Sequence, residues 1–261
     1  TSVGGCTNRF RLICRKPKRT IPASRLGNEA SVKLPALYRG VLIKRYKRFL
    51  ADVQLEDGRT VTAHCPNSGS MKGCALPGSP IWLSLSDNKK RKLAYTWELV
   101  EADGCLAGIN TALPNLLVRE AIENGTVSQL AGYETIRPEV PYGQNSRVDL
   151  LLEGHAGQCF VEVKNVTLAE GDRALFPDAV TLRGQKHLRE LMRVVSEGGR
   201  GVIFFTVLRG DARSMSPADL IDPEYGRLLR ESCRHGVEAL AYQALVTPAE
   251  IRLIEQLPII L

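Results

Sequence analysis

Ser146-Arg147-Val148-Asp149-Leu150-Leu151-Leu152-Glu153-Gly154-His155-Ala156-Gly157-Gln158-Cys159-Phe160-Val161-Glu162-Val163-Lys164-Asn165-Val166 sets two apolar runs on either side of a glycine-rich connection. Such a pattern reads as two strands joined by a tight turn. Strand side chains alternate faces with period two. Glu162 and Lys164 therefore share one face, and Val161 and Val163 point the other way into a core. On the first strand Arg147 and Asp149 share a face opposite Val148 and Leu150. Paired, the strands bring two acids and a lysine together on one wet face of an apolar hairpin.

A hard divalent cation gives that convergence a chemical reason. Mg²⁺ takes oxygen ligands, usually one or two carboxylates with waters and substrate phosphate oxygens. Asp149 and Glu162 offer the carboxylates, the carbonyl of Val163 can add an oxygen, and Lys164 can stabilise a metal-bound water that attacks phosphorus. Mg²⁺ or Mn²⁺ is the expected cofactor. An Asp on one strand followed by Glu-x-Lys on the next is similar to the core of the PD-(D/E)xK nuclease superfamily. The same spacing also suits an amphipathic hairpin with Glu162 and Lys164 as a surface ion pair, worth about 0–1 kcal/mol. Spacing alone leaves both readings open.

The chain of 261 residues has room for one large domain or two ordinary ones, and 44% hydrophobic with 24% charged residues fits a soluble protein with a core. No apolar run approaches the ~20 residues of a membrane span. Seven cysteines are scattered without C-x-x-C pairs, which suits reduced thiols and a cytoplasmic location. The net charge of +7 is unevenly spread. Residues 1–30 carry seven basic groups and one acid, residues 31–110 twelve and seven, and residues 111–261 sixteen and twenty. Attraction of the folded body for a polyanion must then come from the middle block.

Residues 1–33 lack periodicity and are interrupted by Pro17 and Pro22. They are expected to be a disordered basic extension, an organelle transit peptide being the other reading. From 36 to 110 short strand candidates follow one another: Tyr38–Ile43, Arg48–Leu55, Thr60–His64, Pro80–Leu85, Tyr95–Val100 and Cys105–Asn110. Asp57-Gly58 marks a hairpin turn. So many short strands suggest a small barrel, of which the OB-fold is the usual nucleic-acid-binding example. Two basic clusters punctuate it, Lys44-Arg45-Tyr46-Lys47-Arg48-Phe49 and Lys89-Lys90-Arg91-Lys92. Their cations can neutralise phosphates, and Tyr46, Phe49, Tyr95 or Trp97 can stack on bases. Solvated charge runs beside core aromatics are the blander alternative. Between the clusters, Asn67, Ser68 and Ser70 with Gly69, Gly73 and Gly78 form a loop whose backbone amides can hold a phosphate. His64, Cys65 and Cys74 lack the spacing of a zinc site.

A helix is predicted over Asn115–Asn124, stopped by Gly125. Extended segments follow at Ile136–Val140, Arg147–Leu152 and Phe160–Val166. Leu188, Leu191, Met192 and Val195 make the apolar stripe of a helix over 184–196, and Val202–Leu208 is the apolar strand of a parallel sheet. Strand, helix and strand form a βαβ unit that brings Gln185 and His187 near the carboxyl end of the Glu162 strand, where α/β sheets place their sites. A helix over Pro223–Arg234 and a strand over Val237–Val246 complete the pattern.

Lys44-Arg45-Tyr46-Lys47-Arg48-Phe49-Leu50-Ala51-Asp52-Val53, His64-Cys65-Pro66-Asn67-Ser68-Gly69, Tyr95-Thr96-Trp97-Glu98-Leu99, Arg147-x-Asp149, Val161-Glu162-Val163-Lys164, Phe176-Pro177-Asp178-Ala179-Val180-Thr181 and Arg183-Gly184-Gln185-Lys186-His187-Leu188 resemble the sugar fermentation stimulation protein family (SfsA) over roughly residues 36–258. The resemblance implies an α/β chain, α+β overall: an OB-like β-barrel over 36–110, then a PD-(D/E)xK nuclease-like mixed sheet flanked by helices over 111–261. It implies DNA binding without sequence specificity and a nuclease-like triad of Asp149, Glu162 and Lys164, with Glu120 and Gln185 as accessory positions. A role in regulating maltose or sugar metabolism attaches to the family name. The expected function is a DNA-binding protein with a Mg²⁺-dependent phosphodiesterase site, and Gln185 would position metal water or phosphate. A non-catalytic DNA-binding regulator of sugar genes is the alternative. RNA is not excluded as a partner, and a homodimer is admitted. No aromatic sugar cradle is visible in the sequence.

Overall fold

Alternation of inward apolar and outward polar residues builds the first half of the chain into strands. A computed structural model describes residues 31–143, 146–155 and 157–261, so residues 1–30 of the expected extension lie outside the described residues. After a two-residue strand, β1 (Val32–Lys33), come β2 (Leu37–Tyr46), β3 (Leu50–Leu55), β4 (Thr60–His64), β5 (Pro80–Leu85), β6 (Tyr95–Ala102) and β7 (Cys105–Gly108). Their order is β4-β3-β2-β5-β6-β7, and β4 also pairs with β6, so β2 to β6 close into an OB-like barrel. Leu42, Val53, Ile81, Leu83 and Trp97 fill it. Gly40 passes so close to β3 that a Cβ there would lie 2.7 Å from the Gln54 carbonyl oxygen. Its missing side chain lets β2 pair with both β3 and β5.

The second half runs α1 (Pro114–Glu123), β8 (Thr135–Tyr142), β9 (Ser146–Gly154), β10 (Gly157–Val166), β11 (Leu168–Glu170), β12 (Arg173–Phe176), α2 (Leu182–Ser196), β13 (Arg200–Val207), β14 (Ser214–Pro217), α3 (Pro223–Arg234), β15 (Glu238–Val246) and β16 (Glu250–Gln256). A mixed seven-stranded sheet has the order β1-β16-β15-β13-β10-β9-β8. β10 is antiparallel to β9 and parallel to β13. α1 packs Leu117, Val118 and Ile122 against Leu150, Leu152 and Val161. In a separate cluster α2 and α3 pack Leu188, Leu191, Tyr225 and Leu229 with Ile203 and Phe205. No helix among the described residues is long and apolar enough to cross a membrane.

The structure adds a last strand, β16, to the elements expected from the sequence, and it differs at two further places. The extension does not reach residue 33, because Val32 and Lys33 pair with Ile251 and Glu250 of β16. A small sheet of β11, β12 and β14 also appears, from strands of three or four residues that are too short to show a period.

The two halves are pinned together at defined points. Gly108 donates its amide to the Leu208 carbonyl at 2.9 Å. Arg209, with its side chain 2% exposed, donates to both carboxylate oxygens of Asp211 at 2.7 and 2.8 Å and to the Thr167 carbonyl at 2.8 Å. It also lies 3.5 Å from Asp103 in the β6–β7 turn. Ser70 donates its hydroxyl to the Asp178 carbonyl at 2.7 Å, and Met71 donates its amide to the Asp178 carboxylate at 2.8 Å.

Arg209→Ala should therefore destabilise the chain by about 3 kcal/mol, the low end for breaking a buried ion pair. Burial pushes the Asp211 carboxyl up, but the hydrogen bonds and charge of Arg209 outweigh that and hold it below its ordinary value. The pair's contribution is therefore complete above about pH 4 and fades as the pH falls further. Urea unfolding of both proteins at neutral and acid pH measures it: the gap should be widest at neutral pH, and an equal gap at both would refute the assignment.

Candidate active site and nucleic-acid interface

β9 and β10 stay paired as far as Leu150 and Val161, so Asp149 sits one step beyond the paired register. There its carboxylate takes the place of a strand: Val163 donates its amide to Asp149 Oδ2 at 2.7 Å. In a strand the N–H and C=O of one residue point the same lateral way, so the Val163 carbonyl turns toward Asp149 too. Asn115, in the first turn of α1, donates Nδ2 to Asp149 Oδ1 at 3.1 Å. On β10, Lys164 Nζ donates to Glu162 Oε1 at 2.5 Å. His187 of α2 also places Nδ1 against Glu162 Oε1, and Lys164 Nζ lies 3.1 Å from the same ring nitrogen. Arg183 Nε donates to His187 Nε2 at 3.3 Å. A guanidinium only donates, so Nε2 accepts and the ring proton is on Nδ1, directed at Glu162.

The expected wet face is thus a correction. Glu162 is 2% exposed, because α2 lies over the strand and places His187 on it. Burial first, then the charge of Glu162, push the Asp149 carboxyl up to about 6, with Lys164, Val163 and Asn115 pulling the other way. At Glu162 burial works upward too, but the Lys164 charge and the His187 and Lys164 hydrogen bonds outweigh it and hold the carboxyl below its ordinary value. Among the described residues Glu162 Oε2 is buried without a hydrogen-bond partner, as is the Tyr142 hydroxyl, whose phenol is pushed up by burial and then by Glu162. An orphaned carboxylate oxygen beside a second carboxylate fits an oxygen-seeking cation. Among the described residues no group of three or more His, Cys, Asp or Glu side chains could hold a metal. Two carboxylates and a carbonyl, with water for the rest, are a donor set that would fit Mg²⁺.

The accessory residues are occupied differently from expectation. Gln185 donates Nε2 to both carboxylate oxygens of Asp222 at 3.0 and 3.2 Å. Asp222 caps α3 by accepting from the Tyr225 amide, and it also accepts from the Thr181 amide at the start of α2. Glu120 has a buried, unpartnered Oε2, and burial followed by the Glu123 charge pushes its carboxyl up. Asn115, Tyr142, Arg183 and Asp222 were not singled out from the sequence. Each carries an ordinary helix-cap or surface pattern, and only the crossing of α1 and α2 over the sheet assembles them.

The basic clusters divide in the same way. Lys44 lies 3.6 Å from Asp52 and 5.2 Å over the Tyr46 ring, and Tyr46 donates its hydroxyl to Asp52 at 3.0 Å. Arg45 donates to the carbonyls of Arg48, Asn67, Gly69 and Ser70. These three brace the barrel end. Lys47 and Arg48 form the β2–β3 turn at φ 49° and 65°, exposed and without a side-chain hydrogen bond or ion pair among the described residues. Lys89, Lys90, Arg91 and Lys92 are all exposed, and Arg91 donates to Thr96 Oγ1 at 3.2 Å. His64 pairs with both Leu50 and Thr96, so the two clusters flank one end of the barrel. Of the expected stacking rings, Phe49 is 52% exposed while Trp97 is fully buried, its Nε1 donating to Leu99. The amides of Gly69, Met71 and Lys72 already serve Asn67, Asp178 and Ser70, so these three are not free for a phosphate. Cys65 and Cys74 are buried free thiols.

Two family models cover most of the chain: the sugar fermentation stimulation protein RE domain matches residues 112–250 and the SfsA N-terminal OB domain matches residues 43–109. A sugar fermentation stimulation protein homolog of Pelobacter propionicus is 74% identical over 88% of this chain and 100% of its own. That of Geobacter sulfurreducens is 74% identical over 86% and 96%. The solved structure of Pyrococcus furiosus SfsA in complex with Ca²⁺ superposes with a TM-score of 0.81 at 28% identity, covering 88% of this chain and 98% of the other.

Gln185→Leu should lower stability by about 1–3 kcal/mol, the size of leaving a buried carboxylate short of its donor. Denaturant unfolding measures it, and an unchanged midpoint would mean that the tie to Asp222 carries no weight.

Proposed function

The chain belongs to the sugar fermentation stimulation protein family, and from that premise we propose that it grips DNA through the basic end of its barrel and hydrolyses phosphodiester bonds with Mg²⁺ or Mn²⁺. The observation that carries the reading is the meeting of Asp149, Glu162 and Lys164 at one sheet position, with Glu162 Oε2 buried and unpartnered. The Ca²⁺ complex of the P. furiosus relative supports an affinity for hard cations. Asp149, Glu162 and the Val163 carbonyl would hold the ion, which when bound polarises phosphate oxygens and lowers the pKa of a coordinated water. Lys164 stands beside Glu162, where its ammonium can donate to the attacking water. Asn115 and His187 are positioning residues that fix the two carboxylates, and Arg183 sets the His187 tautomer. Gln185 acts through Asp222, which ties the first turn of α2 to α3. Lys47, Arg48 and Lys89 to Lys92 would meet phosphates.

A second reading, a DNA-binding regulator of sugar-metabolism genes that does not cut, is favoured by one observation: the Lys164 ammonium is closed onto Glu162. Incubating a clean preparation with labelled DNA in Mg²⁺, Mn²⁺ or EDTA separates the two. Metal-dependent cutting is expected, and binding without cutting in either metal would leave the regulator.

Asp149→Asn should lower metal-dependent cleavage by about 10²–10³-fold, the usual scale for removing a charge-stabilising group from an active site. Its DNA affinity in EDTA should stay near wild type, and cleavage at the wild-type rate would sink the assignment. Affinity should also fall about tenfold or more between roughly 50 and 200 mM salt, as a few phosphate contacts require. A titration of Kd against salt that stays flat would remove the electrostatic grip.

A further inference from the structure

The barrel and the sheet domain leave a cleft of about 510 Å³ between them, lined from one side by Arg48 and Ser68 and from the other by Asn165, Thr167, Val180 and Thr181. Its walls are built firmly. Arg45 holds four backbone carbonyls of the barrel wall, and Asp178 bonds across to Ser70 and Met71. It lies next to the triad along β10, since its lining residue Val166 stands two residues beyond Lys164 on the same face and Thr181 caps the helix that carries His187. The Asn165 Oδ1 atom is buried without a partner among the described residues.

Three observations say what the cleft takes. First, two adjacent non-glycine residues, Lys47 and the cleft-lining Arg48, hold left-handed backbone. Left-handed backbone strains side-chain-bearing residues. The turn keeps two cations, unpaired among the described residues, in spite of that strain. Second, apolar side chains stand in water at or next to its lining: Val180 is 65% exposed, and Phe49 and Leu182, next in sequence to the lining residues Arg48 and Thr181, are 52% and 75% exposed. Cations beside exposed flat or apolar side chains are the makeup of surfaces that bind unpaired bases and their backbone. Third, the volume is that of a small-ligand pocket, and Glu162 and Lys164 lie deep, with side chains 2% and 12% exposed. A strand must leave its duplex to enter such a space.

We infer that the interdomain cleft binds an unpaired stretch of nucleic acid and leads it to the Asp149–Glu162–Lys164 site. Arg48 meets its phosphates, and Phe49 with Val180 and Leu182 flanks its bases. The inference deepens the nuclease reading and rests on it for the direction of travel, but binding can be measured without cleavage.

Fluorescence anisotropy of the full chain in EDTA, with labelled DNA and RNA oligonucleotides as single strands and as blunt duplexes of equal phosphate number, tests it. Single strands should bind about tenfold or more tightly than duplex, a difference of the size that one stacked base and its phosphate supply. The DNA and RNA arms identify the natural source. Val180→Asp and Ser68→Glu, each of which puts a charge into the cleft from an exposed position, should each weaken single-strand binding about five- to tenfold while changing duplex binding less than about twofold. Duplex bound as tightly as single strand, or both variants binding single strands like wild type, would overturn the inference. Single-strand preference without metal-dependent cutting would uphold the cleft and refute the nuclease.

Discussion

A carboxylate that is 2% exposed in a sheet of Val, Leu and Phe must be met by charge and hydrogen bonds, or it loses its proton balance and its place. Glu162 is met from two elements: Lys164 from its own strand and His187 from α2. The His187 contact requires α2 to sit at one position along β10, a constraint that the greasy packing of Leu188 and Leu191 alone would not impose. The placement of α2 in turn places Thr181, Asp222 and the segment from Phe176 to Thr181, which forms one wall of the cleft. A single buried anion thus orders much of the surface where substrate would arrive.

The halves of the molecule differ in charge and are joined by charge. The described barrel block carries twelve basic and seven acidic residues, and the sheet domain more acids than bases. Across their junction a cation of the sheet domain, Arg209, reaches Asp103 of the barrel, while the acid Asp178 serves the barrel's Met71 amide. Bonds of this kind hold orientation as well as distance. They make it reasonable to treat the cleft as a formed space, not as a gap between two swinging bodies.

Much of the architecture was legible because it is written in short-range periods. Thr60–His64, Pro80–Leu85 and Pro223–Arg234 were bounded from sequence to the residue, and the alternating faces of Asp149, Glu162 and Lys164 follow from period two. What was hidden depends on elements crossing. Whether the charged face of β10 was wet could not be read from β10, because α2 decides it. Arg45 and Tyr46 look like phosphate and base contacts in a basic run, yet one is committed to carbonyls and the other to Asp52. Lys47 and Arg48 differ from them only in lying at the turn itself, a distinction that a charge count does not make.

The entry of the chain has a consequence for taking the molecule apart. Val32 and Lys33 belong in sequence to the barrel side but in space to the other half, pairing with Ile251 and Glu250, and Ser31 donates its hydroxyl to Glu250 at 2.9 Å. The barrel is therefore a loop-out inserted between an outermost strand and the rest of its sheet. A fragment cut cleanly after the barrel would strip that strand away and bare the amides and carbonyls of β16, a template on which a second copy could add itself. Dissection of this protein into self-standing pieces has to carry the first strand along with the last.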